Sequence, residues 1–245
     1  MRNIFKKKNN TIRFFTSDVL NAEAYPIIQA KTHKFKWHNQ FANQVKESRK
    51  ASKLSYVPLA GRCPAIIDIS SRGYYVVLNR DIQLENINGR LKSVSNPAFP
   101  PASEQLNHPA PRYINNMPFV IKIPLGWNCV VPEGVQLYWG PVPYPDNTDF
   151  FVLPGIQNPA NDCQLNIQGV VNSDEPVLLK AGTPLAHLLP LSSKKFKFSV
   201  GIETPIEKKL SDTVMGVAAA GRPTDNSKML AVYKKYRDQI LDDAK

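Results

Sequence analysis

Histidines, cysteines and aspartates are the residues through which this 245-residue chain could do chemistry, and their spacing argues against most of it. His33 and His38 stand five apart, on neither one helix face nor one strand face, so they do not make a two-histidine metal site; they read as polar residues of a basic loop. His187 sits in the apolar run Leu185-Ala186-His187-Leu188-Leu189, where a half-buried imidazole is expected to donate to a backbone carbonyl. Cys63, Cys129 and Cys163 are isolated, whereas a zinc knuckle needs thiolates two to four residues apart; three reduced, half-buried thiols are expected. Asp146, Asp149 and Asp162 are spread too widely, with no fixed glycine, for a calcium loop. Trp127, Tyr138 and Trp139 read as core and rim of a sheet and not as a platform for stacked bases. The chain contains no Gly-x-Ser-x-Gly, no Walker loop and no His-Glu-x-x-His. No catalytic, cofactor-binding or metal site is therefore expected, and no cofactor.

The net charge of +11 is carried by the ends. Residues 1–60 contribute +9, residues 61–190 contribute −2 and residues 191–245 contribute +4. Contact with a polyanion or another subunit is expected at the N-terminal arm, through Lys6, Lys7, Lys8, Arg13, Lys31, Lys34 and Lys36. The start, Met1-Arg2-Asn3-Ile4-Phe5-Lys6-Lys7-Lys8, lacks the apolar run of a signal peptide, and no stretch reaches the ~20 apolar residues of a membrane span. Synthesis in a cytosol follows as an expectation, with no membrane partner.

The elements that would position these residues are mostly strands. The chain holds 21 prolines against 12 glycines, a load that suits short strands joined by ordered loops. Thr11–Phe15 reads as an optional edge strand of a basic arm. Trp37, Phe41 and Val45 at a spacing of four predict a short helix within 37–53. Ala65–Ile69 and Tyr74–Leu78, either side of Ser70-Ser71-Arg72-Gly73, read as a hairpin continued by Ile82–Leu84 and a turn at Asn88-Gly89. Residues 93–115 are a long ordered loop or the seam between two halves. Phe119–Ile123 and Trp127–Val131 read as two strands about a turn at Pro124-Leu125-Gly126, and Pro132-Glu133-Gly134 turns into Val135–Trp139. Phe150–Leu153, Cys163–Val171, Val177–Leu179, Leu185–Leu189 and Phe196–Val200 complete the set. The tail is helical, with a shorter helix in 210–220. A final amphipathic helix capped at Asp225 or Asn226 carries Met229, Leu230, Tyr233, Ile240 and Leu241 on one stripe. Met229, Leu230, Tyr233 and Ile240 are expected to dock on a neighbouring subunit.

Residues 172–190, with Gly182-Thr183-Pro184-Leu185-Ala186-His187-Leu188-Leu189, resemble the late strands of the trimeric dUTPase and dCTP deaminase family. Ile123-Pro124-Leu125-Gly126, Val131-Pro132-Glu133-Gly134 and Leu153-Pro154-Gly155-Ile156 are similar to that family's corners, so the likeness spans 119–191. It implies the fold and not the activity. Gln157 stands where the family's water-activating aspartate would be, Tyr138-Trp139-Gly140-Pro141 replaces its Arg-Ser-Gly, and a neutral amide is no general base. Separately, Arg62-Cys63-Pro64-Ala65, Arg72-Gly73-Tyr74, Asp81-Ile82 and Gly182–Ala186 resemble a protein family of tailed bacteriophages, which implies a viral setting without a mechanism.

The expected protein is thus mainly β, a jelly-roll or dUTPase-like β sandwich with a basic N-terminal arm and a C-terminal amphipathic helix. Residues 1–60 form the arm, 61–200 the β core and 201–245 the helical tail. The expected function is non-enzymatic: a bacteriophage protein acting by assembly or binding, as a structural component of the virion. Its partners would be copies of itself and other phage structural proteins, met in the host cytoplasm or the virion. The alternatives are a nucleotide-binding or nucleotide-metabolism protein of the dUTPase-like fold, and a salt-sensitive nucleic-acid-associated protein using the arm.

Overall fold

The computed structural model describes residues 10–50, 63–87, 90–93, 103–105, 120–143, 145, 149–171, 173, 175–219 and 227–244. The chain opens with β1 (Thr11–Thr16), α1 (Val19–Glu23), β2 (Ile28–Gln29), a single 3-10 turn (Ala30–Thr32) and α2 (Lys36–Lys50). It continues through α3 (Pro64–Ser71), β3 (Tyr74–Val77), β4 (Ile82–Ile87), β5 (Arg90–Ser93), β6 (Ser103–Gln105) and β7 (Val120–Val130). Next come β8 (Leu137–Gly140), β9 (Phe150–Val152), β10 (Gly155–Gln157), β11 (Gln164–Val171), β12 (Val177–Leu179) and β13 (Pro184–Pro190). The chain ends in β14 (Lys197–Ile202), α4 (Pro205–Ala219) and α5 (Ser227–Asp243).

The fold is mainly β, as the strand pattern predicts. One sheet runs β14-β1-β7-β11-β9 with β6 also on β7, a second runs β10-β8-β13-β3-β2, and a small third runs β12-β4-β5. The alternation of side chains along each strand sorts them into layers. Ile12 and Phe14 of β1 enter the central core with Tyr74 and Val76 of β3, Trp127 of β7 and Leu188 of β13. Phe15 points the other way, into a cluster with Leu210 and Val214 of α4 and Tyr233, Ile240 and Leu241 of α5. Tyr75 also turns outward, against Ala30, Phe35 and Val142. The sandwich is therefore covered on both faces, by α4 and α5 over the first sheet and by the segment around Phe35 over the second. Each large side chain buried this way contributes about 1.5–3 kcal/mol.

Four expectations are corrected. Thr11–Thr16 is not an edge strand of an arm: it lies between β14, to which it is parallel, and β7, to which it is antiparallel. All six of its residues are buried. α4 and α5 cover the face that carries Arg13 and Phe15. A boundary at residue 60 therefore does not separate the described part of 1–60 from the core. Ala65–Ile69 is helix α3, not a strand. Pro64 stands at its first turn, where the fixed φ favours a helix and the missing N–H costs nothing. Ile67 and Ile69 are left half exposed, so β propensity here met no sheet to join.

Pro124-Leu125-Gly126 is not a turn between strands. β7 is continuous, and Leu165 pairs with Trp127 while the next residue, Asn166, pairs with Pro124. Leu125 and Gly126 are thus a bulge, which tolerates a proline without a donor. Gly126 has φ +70° and a Cβ there would meet Asn21 Nδ2 at 2.7 Å. Thr16 Oγ1 donates to the Gly126 carbonyl at 2.6 Å and Asn21 Nδ2 to the Leu125 carbonyl at 3.3 Å, so the N-terminal segment holds the bulge. Finally, the helix expected within 210–220 begins at Pro205. The turn residues Asn88 and Gly89, the capping residues Asp225 and Asn226, and most of 93–115 lie outside the described residues.

Candidate functional site

His187, Gln157 and His38 each have a structural partner. His187 on β13 is fully buried, and its Nε2 lies 2.6 Å from the Arg72 carbonyl, as expected of a donor to backbone. Its ring centroid is 4.9 Å from that of Tyr75. Burial pulls its pKa below 6.5, and the hydrogen bond to Arg72 opposes this only in part. Gln157, where the dUTPase-like pattern needs an acid, donates through Nε2 to the carbonyls of Asp162 at 2.7 Å and Gln164 at 2.8 Å. It ties the loop before β11 to β10. His38 Nδ1 accepts from the Phe35 N–H at 3.0 Å, which caps the start of α2.

The thiols are more deeply placed than expected. Cys129 and Cys163 are buried and Cys63 is intermediate; all three are free. Burial pushes the Cys129 thiol up and the Cys163 thiol to about 12, which keeps both protonated and poor nucleophiles. Asp149 is exposed, Asp162 Oδ1 accepts from the Gln164 N–H at 3.0 Å, and Asp146 lies outside the described residues. Among the described residues no three His, Cys, Asp or Glu side chains converge as metal ligands, and no helix is long and apolar enough to cross a membrane. Trp127 is in the core and Trp139 packs at its margin.

The basic and docking residues divide. Lys6, Lys7 and Lys8 lie outside the described residues, and Lys31, Lys34 and Lys36 are exposed around the start of α2. Arg13 is not a surface contact. Its Nε is 2.8 Å from Glu207 Oε1 and its Nη2 3.2 Å from Glu207 Oε2, and Nη2 also donates to the Ile202 carbonyl at 2.8 Å. Tyr233 and Ile240 are not free for a neighbour either, since both are buried against this chain's own first sheet. Tyr233 Oη accepts from the Val131 N–H at 2.9 Å and donates to the Val131 carbonyl at 3.2 Å. Leu230 remains 36% exposed, and the side chain of Met229 lies outside the described residues.

Two features that sequence reading missed are the open surfaces. The strands β9, β10 and β12 each stand at the end of a different sheet. β9 ends at Val152 and β10 starts at Gly155, so they lie within about 11 Å along the chain. Leu179 of β12 and Phe150–Val152 of β9 line the same cleft. Each strand has one paired side among the described residues, none contains a charged residue, and each exposes an apolar side chain: Phe151 at 42%, Ile156 at 63% and Leu178 at 45%. The second feature is the cleft, of about 700 Å³. Its walls come from the start of α2 (Lys36, Trp37, Gln40), from Pro141, Val142 and Pro145, from β9, and from the end of β12 and start of β13 (Leu179, Thr183, Pro184, Leu185). In sequence only the proline and aromatic density of 141–152 hints at it.

Comparison with known proteins finds no family model that matches this chain and no curated protein similar to it.

Proposed function

We propose that this protein acts by binding and assembly, as a closed homo-oligomer, and that it does no chemistry of its own. The supporting observation is that β9, β10 and β12 each end a sheet, contain no charged residue and expose an apolar side chain. Unpaired strand edges usually carry lysine, proline or a covering element when a protein stays alone. Strands of three residues are too short to template fibres, and they suit pairing inside a closed ring or trimer. The setting we propose is the virion of a bacteriophage, on the strength of the sequence resemblance around Arg62–Ala65 and Gly182–Ala186. Sedimentation of the purified chain tests the oligomer, and a monomer at all concentrations would refute it. Mass spectrometry of purified particles tests the setting, and absence from them would remove the virion role.

A second reading rests on Lys31, Lys34 and Lys36, all exposed within one turn and the start of one helix. Such a cluster supports sequence-independent contact with phosphate backbones, with affinity that falls steeply as salt rises. Titration with duplex DNA at two salt concentrations separates it from the first.

A further inference from the structure

The cleft beside β9 has the composition of a ligand site. Its volume of about 700 Å³ falls in the range of small-molecule pockets. Of its thirteen described lining residues, Lys36, Gln40 and Thr183 are polar, Trp37 carries a buried indole N–H without a hydrogen bond, and none is acidic. The rest are aromatic, branched or proline side chains, among them Trp37, Phe150 and Phe151. Among the described residues Lys36 has no carboxylate partner, and neither the Gln40 amide nor the Thr183 hydroxyl makes a hydrogen bond.

We propose that this cleft binds a small apolar monocarboxylate, its flat or branched body between Trp37, Phe150 and Leu185 and its anionic group on Lys36. The charge decides the class. Among the described residues the pocket holds one ammonium without a carboxylate partner and no acidic lining residue; such a site repels a cationic ligand and leaves a neutral one without its ionic contact, whereas a carboxylate supplies an acceptor for Lys36. Gln40 and Thr183 add a neutral donor each for the second carboxylate oxygen. Nothing in this inference depends on the oligomer proposed above.

Calorimetric titration of the full chain with three matched probes tests it: naphthalene-2-carboxylate, naphthalene-2-carboxamide and 2-naphthylmethylammonium. The carboxylate is expected to bind saturably at one site, about tenfold or more tighter than the amide, with no binding of the ammonium. Lys36→Gln should bring the carboxylate and the amide to the same affinity. Gln40→Trp, at an exposed position of α2, should block all binding by filling the mouth without touching the core. Equal affinity for carboxylate and amide in the native chain, undiminished discrimination in Lys36→Gln, or no saturable heat from the carboxylate would each overturn the proposal.

Discussion

Arg13 on β1 and Glu207 on α4, 194 residues apart, meet in a buried two-point ion pair with contacts of 2.8 and 3.2 Å. Glu207 also accepts from the Thr204 N–H at 2.8 Å, while Thr204 Oγ1 receives the Glu207 N–H at 3.4 Å. The same carboxylate thus closes the capping box of α4 and pins that helix to the first sheet. Removing one partner strands a charge in the interior, so Arg13→Met or Glu207→Gln should each cost about 3–5 kcal/mol in urea unfolding. The double variant Arg13→Met with Glu207→Leu should lose markedly less than the sum of the two.

Tyr233 joins α5 to the end of β7 through both polar groups of Val131. Tyr233→Phe keeps the packing and leaves that N–H and carbonyl without their partner. The expected loss is about 1–3 kcal/mol. Hydrogen exchange should show faster exchange at Val131 and across α5, with β3 and β13 unchanged.

Protonation of His187 should make stability fall on acidification. Its folded-state pKa lies below the ordinary 6.5, so as pH drops the unfolded chain takes up the proton before the folded one does. This contribution is complete above about pH 6.5 and is lost progressively below it. His38, whose pKa is also lowered by burial and by Lys34, acts with the same sign. Unfolding free energies measured from pH 5 to 7 should show a shallower slope in His187→Gln than in the native chain. An unchanged slope would mean that this imidazole is already accessible to protons.

The thiols should react in two classes. Cys63 is only partly covered, whereas Cys129 and Cys163 are buried and held protonated. Under native conditions a maleimide should label one cysteine rapidly, and the other two only on unfolding. Peptide mapping identifies which.

On β10 and β12, Ile156→Lys and Leu178→Lys replace exposed apolar side chains by charges. Neither touches the core, so stability should change by less than about 0.5 kcal/mol. Each should shift the sedimenting species toward monomer, because like charges would then face one another across a symmetric contact. An oligomer that survives both changes would place the contact elsewhere.

Much of this architecture was legible in the residues. Short apolar runs punctuated by proline announced a mainly β chain, Pro132-Glu133-Gly134 turned where expected, and an imidazole in an apolar strand had to donate to a carbonyl. These are local consequences of backbone sterics and desolvation. The expectation of a helix within 210–220 overlooked the capping box Thr204-Pro205-Ile206-Glu207, which marks the true start of α4. What only the tertiary structure decided depends on which surface arrives from far along the chain. Thr11-Ile12-Arg13-Phe14-Phe15 reads as an edge strand of a basic arm, yet α4 and α5, nearly two hundred residues later, cover the face of Arg13 and Phe15 and turn Arg13 from a surface cation into half of an ion pair. Ala65–Ile69 has strand-forming residues, but with no neighbouring edge to pair with, the proline before it set a helix. The cleft draws its walls from four separate segments, and no spacing along the chain encodes their meeting.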